Sequence, residues 1–137
     1  MTCPSGTRRL GGLPLCIDAT KVSKGDYQKD TPDSEKTKPV AYVSWQEAKF
    51  YCFIQGGNLP TGEQWDAGVG EGIIDSADPV SEWVLDVQHK YFRKFRGRAP
   101  QGRGLARLFS GGNGYSLPHF SLSNVGFRCV FPESKEK

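Results

Sequence analysis

The sequence predicts an α+β fold of two short helices and several short strands, with much of the chain in loops. Capping-box patterns at 44–47 and 61–64 mark the starts of two helices. Apolar residues alternate with others over 127–131, which is typical of a strand. The 17 glycines and 9 prolines favour turns over long regular elements. At 137 residues, of which 36% are hydrophobic, the chain is the size of one globular domain.

The N-terminal part predicts a hairpin and a short helix. Apolar residues alternate with small ones over 13–18, after a turn-rich segment at 9–12, so we expect a strand that returns from a turn. Ser23 precedes Asp26 and Tyr27 in a pattern that places a hydroxyl at the start of a short helix. The polar, proline-containing run at 30–38 has no periodicity and predicts a loop.

The clearest local signal is the start of the first long helix. The Ser44 hydroxyl is placed to accept a hydrogen bond from the Glu47 amide, and the Glu47 carboxylate to accept one from the Ser44 amide. The two glycines at 56–57 supply a left-handed stop, so the helix spans about three turns. Its predicted inward face comprises Trp45, Ala48, Cys52 and Phe53.

A second, shorter helix is predicted to begin after Thr61, with Gln64 as the reciprocal partner of the cap. Residues 82–86 then predict a strand flanked by turns. Glycines and prolines between 96 and 121 prevent long regular elements. The closing strand at 127–131 is expected to have one apolar face.

The tryptophans and the carboxylates near these helices have structural explanations. Tryptophans at helix and strand positions belong to the core rather than to a ligand platform. Carboxylates near a helix start stabilise the helix dipole and need no acid–base role. The tryptophans are Trp45, Trp65 and Trp83, and the carboxylates are Glu63, Asp66 and Asp86.

Charge is distributed unevenly, although the net formal charge is only +3. No Asp or Glu lies between Asp86 and Glu133, whereas this stretch is rich in Lys and Arg. Basic residues with interleaved aromatic side chains can bind a polyanion, and a solvated charged face is the alternative. The basic residues are Lys90, Arg93, Lys94, Arg96, Arg98, Arg103, Arg107 and Arg128, and the interleaved aromatic residues are Tyr91, Phe92 and Phe95.

The four cysteines predict disulfides rather than a metal site. They show no CxxC spacing, and with only 2 histidines the ligands of a zinc site would be scattered along the chain. Four cysteines allow three pairings, which spacing alone does not resolve. We expect no metal and no cofactor. Disulfides favour a cell-surface or virion setting, and we find neither a signal peptide nor an apolar run long enough to span a membrane.

Several short motifs occur in an order that resembles the formylglycine-generating, sulfatase-modifying enzyme family. They lie at 39–45, 48–52, 57–61, 63–65, 82–86 and 124–129. The resemblance runs from end to end and implies a single domain over 1–137. It also implies a C-type-lectin-like fold, in which two helices pack on a small twisted antiparallel sheet with much of the chain in loops.

The resemblance implies the disulfides and excludes the family's reaction. In family members the cysteine of the first long helix pairs with that of the closing strand, which matches Cys52 with Cys129 and leaves Cys3 with Cys16. The enzymes also carry a copper-binding cysteine pair upstream of the closing strand, whereas residues 90–128 contain no cysteine. Because thiolate sulfur is needed for that chemistry, we expect the chain not to be an enzyme.

A second resemblance concerns the region without these cysteines. The glycines, alanine and Phe-Ser pair at 96–110, with the closing segment at 124–129, are similar to the variable segment of diversity-generating-retroelement proteins. Those proteins display a mutable binding surface on this fold. Their variable codons exclude Lys, Glu, Gln, Trp and Met, and from Gly97 to Cys129 only Gln101 belongs to that set. Residues 97–123 are therefore the candidate variable region.

The sequence thus favours a non-catalytic recognition domain with a diversified C-terminal surface. Tyr, Arg, Ser and Asn give adaptable yet well-anchored contact surfaces, and disulfide-closed loops limit the ordering cost of binding. The expected partner is a protein on another cell or particle. The predicted contact residues are Arg98, Ala99, Arg103, Leu105, Arg107, Asn113, Tyr115, Ser116, Leu117, His119, Phe120 and Ser121.

Two alternatives remain beside this interpretation. One is a pseudoenzyme or degenerate formylglycine-generating-like enzyme that holds a peptide in the former active-site groove. The other is a polyanion-binding module that uses the basic C-terminal third. A lectin-type calcium sugar site is unsupported, because neither a Glu-Pro-Asn nor a Gln-Pro-Asp triplet occurs.

Overall fold

The computed structural model describes residues 3–76, 78, 80–89, 91–97, 113–122 and 124–133. Short strands and helices alternate with long irregular segments, as the sequence predicts. In chain order the elements are β1 (Thr7–Arg9), β2 (Leu15–Asp18), α1 (Lys24–Tyr27), α2 (Trp45–Ile54), α3 (Gly62–Gly70), β3 (Ser81–His89), β4 (Phe92–Arg96), β5 (Asn113–Ser116), β6 (Val125–Gly126) and β7 (Val130–Pro132).

These strands form two small sheets. The smaller sheet has the order β1-β2-β7 with antiparallel pairs, and places Cys16 between Arg9 and Phe131. The larger has the order β5-β4-β3-β6, in which β6 runs parallel to β3 and the other pairs are antiparallel. Among the described residues, two sheets, one of them mixed, therefore replace the single antiparallel sheet that the family resemblance implies.

The closing segment changes sheets because its hydrogen-bond partners change. The Asp18 amide donates to the Cys129 carbonyl oxygen at 2.9 Å, and the Cys129 amide donates to the Asp18 carboxylate at 2.8 Å. The Val22 amide donates to the Phe127 carbonyl oxygen at 2.9 Å. Asp18 is the last residue of β2 and Val22 follows that strand, so these bonds lead the chain from β6, beside β3, into the smaller sheet. Regular pairing starts only at Val130, so the closing strand is shorter than predicted.

The first part of β3, residues 81–84, is buried on both faces and so has a core on each side. One core lies between α2 and the larger sheet, where Trp83 packs edge-on against Phe95 and donates its indole N–H to the Val43 carbonyl oxygen at 2.9 Å. The other core lies against α3, where Trp65 and Val84 pack together with Leu10, Ile17, Ile74 and Val130. The core assignment of Trp65 and Trp83 is confirmed.

Both predicted capping boxes are present. The Ser44 hydroxyl accepts from the Glu47 amide at 3.1 Å, and the Glu47 carboxylate accepts from the Ser44 amide at 2.9 Å. Thr61 and Gln64 make the same reciprocal pair at the start of α3. The Asp86 carboxylate also accepts from the Gly62 amide at 2.9 Å, which confirms a helix-start role for this residue.

The predicted inward face of α2 is wrong at one position. Ala48 and Cys52 are fully buried, but Phe53 is 68% exposed and lies beside the exposed Phe50 and Ile54. Cys52 and Phe53 are neighbours in the helix and point about 100° apart, and Phe53 lies outside the stripe that Ala48 and Cys52 form. The helix buries the Cys52 side.

The structure contains the two disulfides Cys3–Cys16 and Cys52–Cys129, the pairs that the family resemblance implies. The first fixes the N-terminal segment to β2, and the second joins α2 to the closing segment within the core. Within the described ranges, no helix is both long enough and apolar enough to cross a membrane.

Candidate ligand-binding face

Some of the predicted contact residues lie within the part of the chain that the structure describes, and others lie outside it. Asn113 is described only through its place at the start of β5, opposite Arg96. The others on β5 and on the chain after it are described in full. Those outside the described residues are Arg98, Ala99, Arg103, Leu105 and Arg107, and those within them are Tyr115, Ser116, Leu117, His119, Phe120 and Ser121.

Strand alternation separates Tyr115 from Ser116. The Tyr115 ring is half-buried and packs edge-on against Phe92, with ring centroids 5.4 Å apart. Ser116, opposite Arg93 in the neighbouring strand, is only 4% exposed. Because successive side chains of a strand point to opposite sides, a ligand that meets Tyr115 does not meet Ser116. Ser116 is therefore removed from the candidate face, and Tyr115 stays.

The chain after β5 forms a turn that is fixed to α2. The Phe120 amide donates to the Leu117 carbonyl oxygen at 3.1 Å, with Pro118 at the second position that such turns favour. The Pro118 carbonyl oxygen accepts from the amide of Gln46, in the first turn of α2, at 3.1 Å. His119, Phe120 and Ser121 are exposed, so the turn presents them from a fixed base.

Tyr42 adds an exposed aromatic side chain beside this turn. Its amide donates to the Leu122 carbonyl oxygen at 3.1 Å, and the residue is 69% exposed. Its φ of 59° lies in the left-handed region, which a residue with a side chain rarely adopts. Sequence reasoning missed Tyr42, because nothing in the pattern marks a tyrosine for that conformation.

Arg93 lies between the candidate face and α2. Its guanidinium carbon is 4.7 Å from the centre of the Trp45 ring, in cation–π geometry. The Trp45 indole N–H in turn donates to the Val84 carbonyl oxygen at 2.8 Å, which fixes the ring. The sequence placed Arg93 in a general basic stretch and gave no sign of this stacking.

The described part of that basic stretch is not one continuous surface. Arg96 pairs with Asp66 of α3 at 3.4 Å, and Arg128 is buried against Glu82. Phe95 is 1% exposed, so its prediction as a stacking partner for a polyanion is wrong. Alternation along β4 sends Phe95 and Arg93 towards α2 and their neighbours to the other side.

The carboxyl group with the most altered acidity lies away from the candidate face. Burial raises the pKa of Asp18 to about 6, against the opposing effects of the Cys129 amide and the Arg128 charge. Asp18 lines a cleft of about 540 Å³ that none of the described residues of the candidate face borders. In the described part of the chain, no three His, Cys, Asp or Glu side chains are placed to hold a metal ion.

Comparison with known proteins identifies relatives of part of the chain. Residues 16–77 match the model of the sulfatase-modifying factor enzyme 1-like domain. Over 64 residues, 47% of this chain and 20% of theirs, the chain is 33% identical to proteins of Bos taurus and Mus musculus named inactive C-alpha-formylglycine-generating enzyme 2. The chain thus spans about a fifth of the length of these curated relatives.

A solved structure shows the fold over more of the chain. The crystal structure of CarF superposes with a TM-score of 0.61 over 86% of each chain at 17% sequence identity, which shows a shared fold. The sequence resemblance included motifs as far as residue 129, whereas the family model ends at 77. The segment from β2 through α3 is therefore similar to the sulfatase-modifying factor enzyme 1-like domain, within a mixed α/β fold shared with CarF.

Proposed function

We propose that this chain is a non-catalytic recognition domain that binds a protein through β5 and the turn at 117–121. The observation that carries this proposal is the fixed turn. The Gln46 amide holds the Pro118 carbonyl oxygen, and the Tyr42 amide holds the Leu122 carbonyl oxygen, while the side chains between these two anchors remain exposed.

Such an arrangement suits binding because little order has to be gained. Association costs about 0.5–1.5 kcal/mol for each flexible side chain that becomes fixed, so a turn already held by a helix and a sheet binds at lower cost. Tyr115 packed on Phe92 is a rigid aromatic anchor of the kind that dominates binding sites. Phe120, 44% exposed, supplies a second apolar contact.

More specifically, we propose that the chain is a variable protein of a diversity-generating retroelement and has a C-type-lectin-like fold. The residue types over 97–123 support this form, as does the absence of cysteine from 90 to 128. The two disulfides support display on a cell surface or a virion, facing a protein of another cell or particle.

Genomic sequence tests the specific form. We expect a near-copy of the DNA that encodes 97–129, differing mainly at adenines, beside a reverse transcriptase gene. Among related loci, codon differences should concentrate between 97 and 123. Differences spread evenly along the gene would contradict display. The simpler proposal of a recognition domain would then depend on the binding experiment below.

A pair of libraries tests binding itself. In one, Tyr115, Leu117, His119, Phe120 and Ser121 are randomised, and both libraries are selected against the same panel of purified proteins. We expect specific binders from this library and few from a control library that varies positions elsewhere on the surface. Equal yields would contradict a dedicated face. The control library randomises the equally numerous exposed positions Arg8, Gln28, Asp30, Ser34 and Thr37.

The second candidate function is a pseudoenzyme that holds a peptide. Similarity to proteins named inactive C-alpha-formylglycine-generating enzyme 2 favours it over an active enzyme. It predicts even codon variation among relatives and saturable binding of an extended peptide by the unmodified chain. A screen of the unmodified chain against a random peptide array would separate it from display, which predicts no common peptide motif.

A further inference from the structure

We infer that Arg93 receives a carboxylate of the bound protein, so that an acidic residue is the feature this face selects. The inference rests on the proposed binding function and names the chemistry of the partner. Arg93 lies outside 97–123, the region to which sequence reasoning confined the contacts.

The position of the Arg93 guanidinium is fixed before any ligand arrives. It lies 4.7 Å from the centre of the Trp45 ring, and the ring is held by its own hydrogen bond to the Val84 carbonyl oxygen. Stacking on an aromatic ring removes much of the freedom that a long side chain would otherwise lose on binding. Arg93 is therefore preorganised.

The hydrogen-bonding capacity of this guanidinium is largely unused. An arginine has five N–H donors. In Arg93, one Nη1 bond of 3.4 Å reaches the Phe92 carbonyl oxygen, and the buried Nε–H has no partner in the described structure. Because the Nε–H is buried, an approaching carboxylate cannot reach it and would bind the two Nη groups, whose planar geometry it matches.

Neighbouring arginines behave differently. Arg96 has Asp66 at 3.4 Å, and Arg128 has Glu82 at 2.6 Å, whereas no carboxylate of the described residues lies within ion-pair distance of Arg93. The sequence itself has no Asp or Glu from 87 to 132. A carboxylate for Arg93 is thus most readily supplied by another molecule.

Its location joins this unpaired charge to the proposed face. Arg93 is opposite Ser116 in the sheet, so its side chain lies on the Ser116 side, away from Tyr115 and next to the start of the turn at 117–121. On that side the guanidinium stacks on Trp45, whose neighbour Gln46 holds the Pro118 carbonyl oxygen. A protein that contacts the turn would therefore pass close to the guanidinium.

Side-chain NMR of arginine tests this directly. The probe is N-acetyl-triglutamate amide, titrated into the whole ¹⁵N-labelled chain at constant ionic strength, with N-acetyl-triglutamine amide as the uncharged control. We expect a saturable shift of the Arg93 Nε–H signal with the acidic peptide only. Equal shifts with both peptides, or no shift, would overturn the inference.

Two matched variants separate this site from general positive charge. Arg93→Gln should weaken binding of the acidic peptide at least about tenfold, since a bidentate charged contact is lost. Arg8→Gln removes the same charge from an exposed position in β1 of the smaller sheet and should change binding less than about twofold. Equal losses would show charge attraction without a site. Arg93→Lys keeps the charge without the fork and should bind with intermediate strength.

Failure here is distinguishable from failure of the proposed function. If library selection yields binders of the face that Arg93→Gln does not weaken, the binding function stands and the acidic preference is wrong. If the acidic peptide shifts Arg93 but no library yields binders, the anion site stands and the proposed face is wrong.

Discussion

Arg128 and Glu82 form a bidentate ion pair in the interior of the protein. Arg128 Nε lies 2.6 Å from Glu82 Oε1, Nη2 lies 3.1 Å from Oε2, and the two side chains are 4% and 1% exposed. The Lys21 ammonium is 3.5 Å from the same carboxylate. Through this carboxylate, β3 of the larger sheet is held to the segment that leads into the smaller one.

Replacing Glu82 and replacing Arg128 should destabilise the fold by different amounts. Glu82→Gln leaves the buried Arg128 without its carboxylate partner, while Lys21 keeps Asp78 at 2.9 Å, and we expect the free energy of unfolding to fall by about 3–5 kcal/mol. Arg128→Met should cost less, because Lys21 still faces Glu82. Urea unfolding followed by tryptophan fluorescence measures both values.

The double variant Glu82→Gln/Arg128→Met provides the control. Since neither charge is then left alone, we expect it to be more stable than the sum of the single effects by at least about 2 kcal/mol. Additive losses would mean that the pair contributes no coupling and that each side chain acts through packing alone.

Asp18 should make stability depend on pH in the direction opposite to an ordinary ion-paired carboxylate. Burial raises its pKa from 3.8 to about 6, so the native state binds its proton more tightly than the unfolded state does. The resulting stabilisation is complete below pH 3.8 and is lost as the pH rises through 6. In Asp18→Asn the group stays neutral and can still accept from the Cys129 amide. As the pH is raised from 4 to 7, the free energy of unfolding of the variant should therefore increase by about 2–3 kcal/mol relative to that of the natural chain.

Chemical denaturation at a series of pH values measures this difference. The Ser34→Ala variant changes an exposed residue that carries no titratable group, and its difference from the natural chain should stay nearly constant over the same range. A constant difference for Asp18→Asn as well would show that the Asp18 carboxyl has an ordinary acidity in the folded protein.

Local chemistry made the helices predictable from the sequence. A capping box involves residues three apart, so Ser44 with Glu47 and Thr61 with Gln64 needed no tertiary information. The wrong assignments depended on long-range partners. Arg128 alternates with apolar residues and looked like the polar side of a strand, but Glu82, 46 positions away in sequence, draws it into the interior.

The candidate face was predictable in composition and only partly in geometry. Exposed turn residues such as His119 and Phe120 follow from their place between Pro118 and the closing segment. Tyr42 and Arg93 did not, because their positions depend on Leu122 and Trp45, which are distant in sequence. Contacts between remote segments leave no periodicity to detect.

The two disulfides should contribute unequally to stability. Cys52–Cys129 joins residues 77 apart and Cys3–Cys16 residues 13 apart. In the chain-entropy model this gives about 4–5 and about 3 kcal/mol. Replacing each pair with alanine and measuring urea unfolding should therefore rank the Cys52–Cys129 variant as the less stable. Its sulfur atoms also belong to the core beside Trp83, which adds a packing loss. The reverse ranking would contradict both arguments.

The backbone of Tyr42 provides a sharp test of local strain beside the candidate face. At an ordinary exposed position, glycine is less stable than alanine by about 0.5–1 kcal/mol. At φ 59° the order should reverse, because alanine keeps the Cβ atom that disfavours the left-handed region and glycine does not. We expect Tyr42→Gly to exceed Tyr42→Ala in free energy of unfolding by about 1 kcal/mol, and Tyr42→Val to be the least stable. Because the three variants remove the same exposed ring, their differences report the backbone alone. If alanine proved the more stable, Tyr42 would not be held in this conformation, and the hydrogen bond from its amide to Leu122 would not be an anchor of the turn.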